Sequence, residues 1–332
     1  ETLHHRRQRW STLLHSDDYR TVITEVLEQE LPKYSTSSVV IPTSLSPIMS
    51  ECILILASAP LIFTAAVDGV LPRRYLQDTH LQAEYEEVQN RAHIQPSIYI
   101  HLLADEHGLA PTANQLYLIR QMVLDYLDER AVNHGFALLI DNVSQPPFHQ
   151  PANNRTLRKY LATHSTPRSA QRIATLLKFC EGIHKRWLDT PPHLRDAPLT
   201  YPPGECGYAR NSHARLEQHR RHISSNYVMN LVEDICTHLY TTNRFPQHFR
   251  MHQFIIYLIF QPTQAEIAEI FCSGLLQVWV ENGGGFNHYP AGRSNRSARE
   301  IGEREWQRHE AYAREESGLV QNLRVQRERV ED

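Results

Sequence analysis

Apolar residues fall at helical spacing over Val22, Ile23, Val26, Leu27 and Leu31, and Pro32 ends the run. That pattern predicts an amphipathic helix, with Ser16 as its cap. The longest apolar stretch, Cys52 to Val67, is interrupted by Pro60 and closed by Glu51 and Asp68. It is shorter than the ~20 residues that span a bilayer, so it reads as a buried helix or strand pair. Ser97 to Leu103 and Phe136 to Ile140 read as buried strands. Between them Pro111-Thr112 opens a helix with Leu116, Ile119, Val123, Tyr126 and Leu127 inward, ending near Gly135. Segment 1–145 is therefore expected to be an α/β domain, of a role the pattern leaves open.

Gln145 to Asn154 is a proline-rich break. Ile173, Leu176, Leu177, Cys180, Ile183 and Trp187 then give one face of a helix over Ser169 to Leu188. Segment 146–198 is thus a linker and an amphipathic helix. A second break, Thr190 to Gly204, holds five prolines. Further on, the unbroken run Phe254 to Phe260 predicts a buried central strand. Thr263 to Glu266 has the spacing of a capping box. The helix it starts would carry Ala268, Glu269, Leu275, Leu276 and Trp279 as far as Gly283-Gly284-Gly285. The tail, 293–332, has nine arginines against nine acidic residues and reads as a solvated helix of alternating charge, a surface for a protein partner. The fold class expected for the whole chain is mixed α/β (α+β).

Composition narrows the function. The 332 residues carry a net charge of −3, which excludes a uniformly basic binder, so any nucleic-acid contact has to come from a local basic face. Five scattered cysteines without a CxxC pair argue against a disulfide scaffold and a zinc ribbon. They read as free thiols in a reducing compartment. Glu1 to Trp10 lacks the apolar stretch of a signal peptide. An intracellular location, cytoplasmic or nuclear, with no membrane partner, is the expectation. Thirty arginines against four lysines suit bidentate phosphate binding, although codon usage gives the same skew.

The local basic face lies at 207–222, with four arginines against one glutamate. With Ser212 as N-cap, Arg215, His219 and His222 share a helix face at i, i+4 and i+7. One fixed cation beside two imidazoles suits an oxyanion such as a phosphodiester. The plain alternative is a charged surface helix. A zinc site of His219 and His222 with Cys206 or Cys236 has suitable ligand types but no ligand-spacing framework.

Taken in order, these pieces resemble the GIY-YIG endonuclease superfamily over about residues 199–292. Gly207 matches the glycine of the YIG triplet, Arg215 the arginine eight residues later, and His219 the histidine one turn on. His222-Ile223-Ser224-Ser225 is similar to the downstream histidine segment, Glu269 to the metal-binding glutamate, and Asn287 in GGFNHYPAG to the closing asparagine. The chain departs at both tyrosine motifs. The YIG position reads Glu205-Cys206-Gly207, and Leu199-Thr200-Tyr201 is the best substitute for GIY.

The resemblance implies a small three-stranded sheet flanked by helices and hydrolysis of a phosphodiester in DNA or RNA. It implies that Glu269 would hold Mg²⁺ or Mn²⁺, Arg215 would neutralise the phosphate, and His219, Tyr201 or Tyr208 would take a proton from water. Asn287 would position the chain or the phosphate. The alternative is a catalytically degenerate nucleic-acid-binding or protein-interaction scaffold.

Overall fold

A three-stranded antiparallel sheet and fourteen α-helices make up the computed structural model. It describes residues 1–331 except 36, 38, 40, 43, 145–157, 224, 293 and 294, and these counts are of the described residues. The Gln145 to Asn154 break therefore lies outside them. Helices α1 (Leu3–His15), α2 (Tyr19–Glu30), α3 (Leu45–Ser58), α4 (Leu61–Val67), α5 (Leu71–Gln77) and α6 (Thr79–Arg91) precede strand β1 (Ser97–Ala104). Then come α7 (Ala113–Leu127), α8 (His134–Asp141) and α9 (Ala170–Asp189), strand β2 (Gly204–Ala209), α10 (Ser212–Arg220) and α11 (Tyr227–Thr241). Strand β3 (Arg250–Leu258), α12 (Pro262–Leu276), α13 (Glu303–Glu316) and α14 (Leu319–Glu331) complete the order.

The strand order is β2-β1-β3, so the sheet is built around a strand from segment 1–145. This corrects two expectations. The sheet is not assembled within 199–292, and the run from Phe254 is an outer strand. That run is apolar because α4 and α6 cover β3, leaving Ile255 and Ile256 fully buried. β1 is buried at every position, as a central strand must be.

Phe136 to Ile140, expected as a strand, lies in α8. Its residues are mostly good helix formers, and a five-residue apolar run does not distinguish the two states. The stretch Cys52 to Val67 is helical on both sides of Ala59-Pro60, where α3 and α4 bend by 109°. Ala59 is extended, as a residue before proline prefers. No single described helix is long and apolar enough to cross a membrane.

Caps shift by a residue or two from expectation. Asp18, not Ser16, caps α2 by accepting from Thr21 N–H at 3.3 Å. Asn211, not Ser212, caps α10, because the Ser212 hydroxyl is committed to Ser97 Oγ at 2.6 Å. The box at Thr263 to Glu266 is not formed, since Thr263 donates to Glu51 at 2.7 Å and α12 already begins at Pro262. α12 ends at a left-handed Gln277, ahead of the glycines. Thr112 does form a capping box with Gln115 at the start of α7.

Two cores result. One joins α1 to α4, α6 and α12 with the sheet; the other gathers α7, α8, α9 and α11 about Val123, Tyr126, Phe179 and Ile235. The charged tail forms two helices rather than one solvated one, because Trp306, His309, Ala313 and Leu319 lie along a buried side.

His309 gives that packing a pH signature. Arg91 Nη2 donates to its Nδ1 at 3.0 Å, and burial, with the Arg91 charge, pushes the imidazole down from 6.5 to about 4. The unfolded chain binds a proton that the folded one refuses. The contribution is therefore whole above about pH 6.5 and is lost as pH falls towards 4. In urea denaturation, His309→Gln is expected to flatten the decline in stability over that window relative to wild type.

Candidate functional site

The sheet register sets the site. Tyr99 faces Gly207 across β1 and β2, and two residues on His101 faces Glu205, so all four share one face of the sheet. On the other side of β1, Gln253 is opposite His101. The Tyr99 phenol lies over Gly207, where a Cβ would come within 2.4 Å of the hydroxyl oxygen. Helix α10 follows β2 directly and packs on β1 and β2. Its Arg215 and His219, one turn apart, reach the same face.

His101 is bracketed by its strand neighbours. Gln253 donates an amide N–H to His101 Nε2 at 3.1 Å, which leaves the ring proton on Nδ1, donated to Glu205 Oε2 at 2.7 Å. The His101 and His219 rings lie 4.5 Å apart, and His219 Nε2 is 3.2 Å from the Tyr99 hydroxyl. His219 Nδ1 has no partner among the described residues.

Burial pushes the His219 imidazole down to about 3, and the Arg215 charge adds to this against the pull of Glu205. His219 is therefore a neutral base at ordinary pH. Burial works against ionisation of Glu205, but its hydrogen bond from His101 and the nearby Arg215 charge help to outweigh it, holding the carboxyl below its ordinary value. Burial also pushes the Tyr99 phenol up, helped by Glu205 and opposed by the charge and hydrogen bond of Arg215.

The free edge of β2 carries the other two residues of the pattern. Asn287 accepts from Cys206 N–H and donates to Cys206 O, both at 3.0 Å, imitating a neighbouring strand. Glu269, half-buried on α12, accepts from Gly292 N–H at 2.6 Å and from the Tyr208 N–H. Burial raises its carboxyl to about 7, against the Gly292 hydrogen bond and with the added repulsion of Glu205.

Of the residues picked from the sequence, Arg215 and His219 meet at the site, and Glu269 and Asn287 flank it at the strand edge. Tyr208 points to the opposite face of the sheet from Tyr99, with its hydroxyl 3.3 Å from Ser297 Oγ. Tyr201 lies under Arg7, 4.2 Å from guanidinium to ring centroid, outside the sheet. β2 pairs with β1, so Leu199-Thr200-Tyr201 forms no hairpin with it and Leu199 N–H bonds Pro111 O instead. The triplet facing Glu205-Cys206-Gly207 is Tyr99-Ile100-His101.

His222 leaves the expected helix face, because α10 ends at Arg220 and His222 is left-handed (φ 53°). Its Nδ1 is 3.2 Å from Ser144 Oγ and its Nε2 3.3 Å from Glu233. Ser224 of the same segment lies outside the described residues. All five cysteines are buried and free, and Cys206 lies on the face away from His219. The metal-ligand types that do meet His219 are His101 and Glu205, all three buried with ligand atoms within 4.8 Å of one another.

Tyr99, His101 and Glu205 were missed in the sequence reading. The available signal was a tyrosine and a histidine two apart inside an apolar strand. His101 and His219 also border a cleft of about 410 Å³ with Arg220, His222, Arg250 and Gln253. Compared with known protein families, curated proteins and solved structures, the chain finds no match.

Asn287→Ala would leave a buried N–H and C=O of Cys206 unpaired. A loss of about 2 kcal/mol or more in urea denaturation is expected, at the cost of roughly 1–3 kcal/mol per buried unsatisfied group.

Proposed function

We propose that this chain hydrolyses phosphodiester bonds of nucleic acid with a divalent metal, as a divergent relative of the GIY-YIG endonucleases. One observation carries the reading: Tyr99, Arg215 and His219 gather on one face of Glu205-Cys206-Gly207, with Glu269 at its edge. Arg215 is half-buried and supplies a fixed cation to a phosphate. His219 borders the cleft and has an unpartnered Nδ1, which makes it the acceptor for the proton of the attacking water. Its Nε2 is held by the Tyr99 hydroxyl, which fixes the ring.

Glu269 fits a hard divalent ion. It is half-buried, and repulsion from Glu205 adds to burial in raising its carboxyl, which a cation would relieve. Bound Mg²⁺ or Mn²⁺ supplies charge stabilisation of the leaving oxygen.

The near-complete burial of Tyr99 and His219 favours a second reading, a nucleic-acid- or protein-binding module in which the network is only structural. Single-stranded and duplex DNA and RNA oligonucleotides, titrated at low and moderate salt with Mg²⁺ or Mn²⁺, separate the two. Under the hydrolytic reading Arg215→Ala weakens binding and slows cleavage by roughly 10²–10³-fold, the size of a lost transition-state donor. Glu269→Gln abolishes cleavage and retains binding. Binding without cleavage by wild type supports the module, and neither binding nor cleavage ends both nucleic-acid readings.

A further inference from the structure

We infer that His101, Glu205 and His219 form a binding site for a transition-metal ion of the zinc class, separate from Glu269 and independent of the hydrolytic reading. Two imidazoles and a carboxylate are ligands that Zn²⁺ and its neighbours accept, whereas Mg²⁺ prefers an all-oxygen, water-rich shell. Their ligand atoms already lie within 4.8 Å of one another. Bonds of about 2.1 Å in a tetrahedral shell put ligands roughly 3.4 Å apart, so the side chains need to close by about 1.4 Å at most.

Three features favour a ligand here over a purely structural network. His219 is 3% exposed, yet its Nδ1 has no partner, an unfavourable state for a buried polar atom. Gln253 Oε1, beside His101, is likewise buried and unpartnered. The three residues are spread over β1, β2 and α10, so their backbones are fixed by the sheet and by the helix packed on it.

The proton accounting closes. His101 Nδ1 shares a proton with Glu205 in the metal-free protein. Metal entry at that nitrogen moves the single ring proton from Nδ1 to Nε2, with no net release, and Glu205 gives up its hydrogen bond to become a ligand. A half-turn of the Gln253 amide presents its unpartnered oxygen to that Nε2–H, giving up the bond to Leu216 O. The amide then orients a metal-bound imidazole from outside, the arrangement such histidines favour. Tyr99 does the same for His219 through Nε2. Three protein ligands leave a coordination position that faces the cleft bordered by His101 and His219. Occupancy uses the imidazole to which the hydrolytic reading gives proton transfer, so one molecule cannot serve both roles at once.

The test is direct metal binding by the full chain. Metal-stripped protein is titrated with Co²⁺ and the visible absorption of a low-coordinate site is followed, then Zn²⁺ is added in competition. Wild type should bind one equivalent tightly and lose the Co²⁺ bands to Zn²⁺. His101→Ala and Glu205→Gln should weaken binding by roughly 100-fold or more, at least the cost of losing an outer-shell partner. Glu269→Gln removes no ligand of this site and should retain the single equivalent.

Should Glu205→Gln fail to fold, Gln253→Leu, which removes only the outer partner, should still weaken binding by about 10-fold. An unchanged single equivalent in His101→Ala would place the metal on other histidines and overturn the assignment. Absence of tight Co²⁺ binding by folded wild type overturns it too. Neither result bears on Mg²⁺-dependent cleavage, which is read separately.

Discussion

The hydrogen bond from His101 to Glu205 is the constraint around which the site is organised. It runs between the central strand and its neighbour, with the imidazole fully buried and the carboxylate nearly so. Burying such groups unpaired costs several kcal/mol, and pairing recovers the loss only when the remaining polar atoms are also met. The sheet meets most of them by register, since Glu205, His101 and Gln253 lie in one row across the three strands. A slip of one residue between β1 and β2 would turn Glu205 to the opposite face and leave His101 alone. The same row keeps Tyr99 over Gly207 and leaves room for α10 to bring His219 against both rings.

The edge of β2 is the second point of control. An outer strand exposes unpaired backbone groups, and this one is closed by a short backbone bridge from Gly204 to the Gly284–Phe286 segment and, beyond it, by two side chains. Asn287 closes Cys206, and Glu269 accepts the Tyr208 N–H. These are the two positions after Phe254 that the resemblance to the endonuclease pattern singles out. A carboxylate anchored this way by backbone N–H groups is held in place without a cationic partner. Burial and the nearby Glu205 charge both work against the ionisation of Glu269, raising the carboxyl to about 7, and a cation at this end of the sheet would relieve both.

Local chemistry was legible in the sequence wherever the relevant partners are close in the chain. The Arg215-to-His219 spacing, the apolar strand from Ser97 and the helical face of α9 are all set within a few residues. The pairing of β1 with β2 is not local, since about 100 residues separate Tyr99 from Gly207. A central strand buried at every position also has no alternation from which to read which residues share a face with a site. That is why the position opposite Glu205-Cys206-Gly207 was sought at Leu199 to Tyr201, the nearest apolar and tyrosine-bearing segment. Phe136 to Ile140 failed for a related reason: an apolar run of five fits a strand or a short helix, and packing against α7 and α11 decided for the helix.

An acidic residue at position 205, in a buried strand, has a consequence for the whole face. A phenol there would be neutral and would place no charge in the row. A carboxylate needs a compensating donor, and His101 on β1 provides it. The charge of Glu205 then works on its neighbours, raising Tyr99 and Glu269 and favouring a proton or a metal on His219. Arg215 opposes the first of these effects and adds to the desolvation of His219. A single acidic residue in a buried strand thus couples both histidines, the tyrosine, the arginine and the edge carboxylate into one electrostatic unit. Any ligand that binds this face, phosphate or cation, meets the combined charge and hydrogen bonding of that unit.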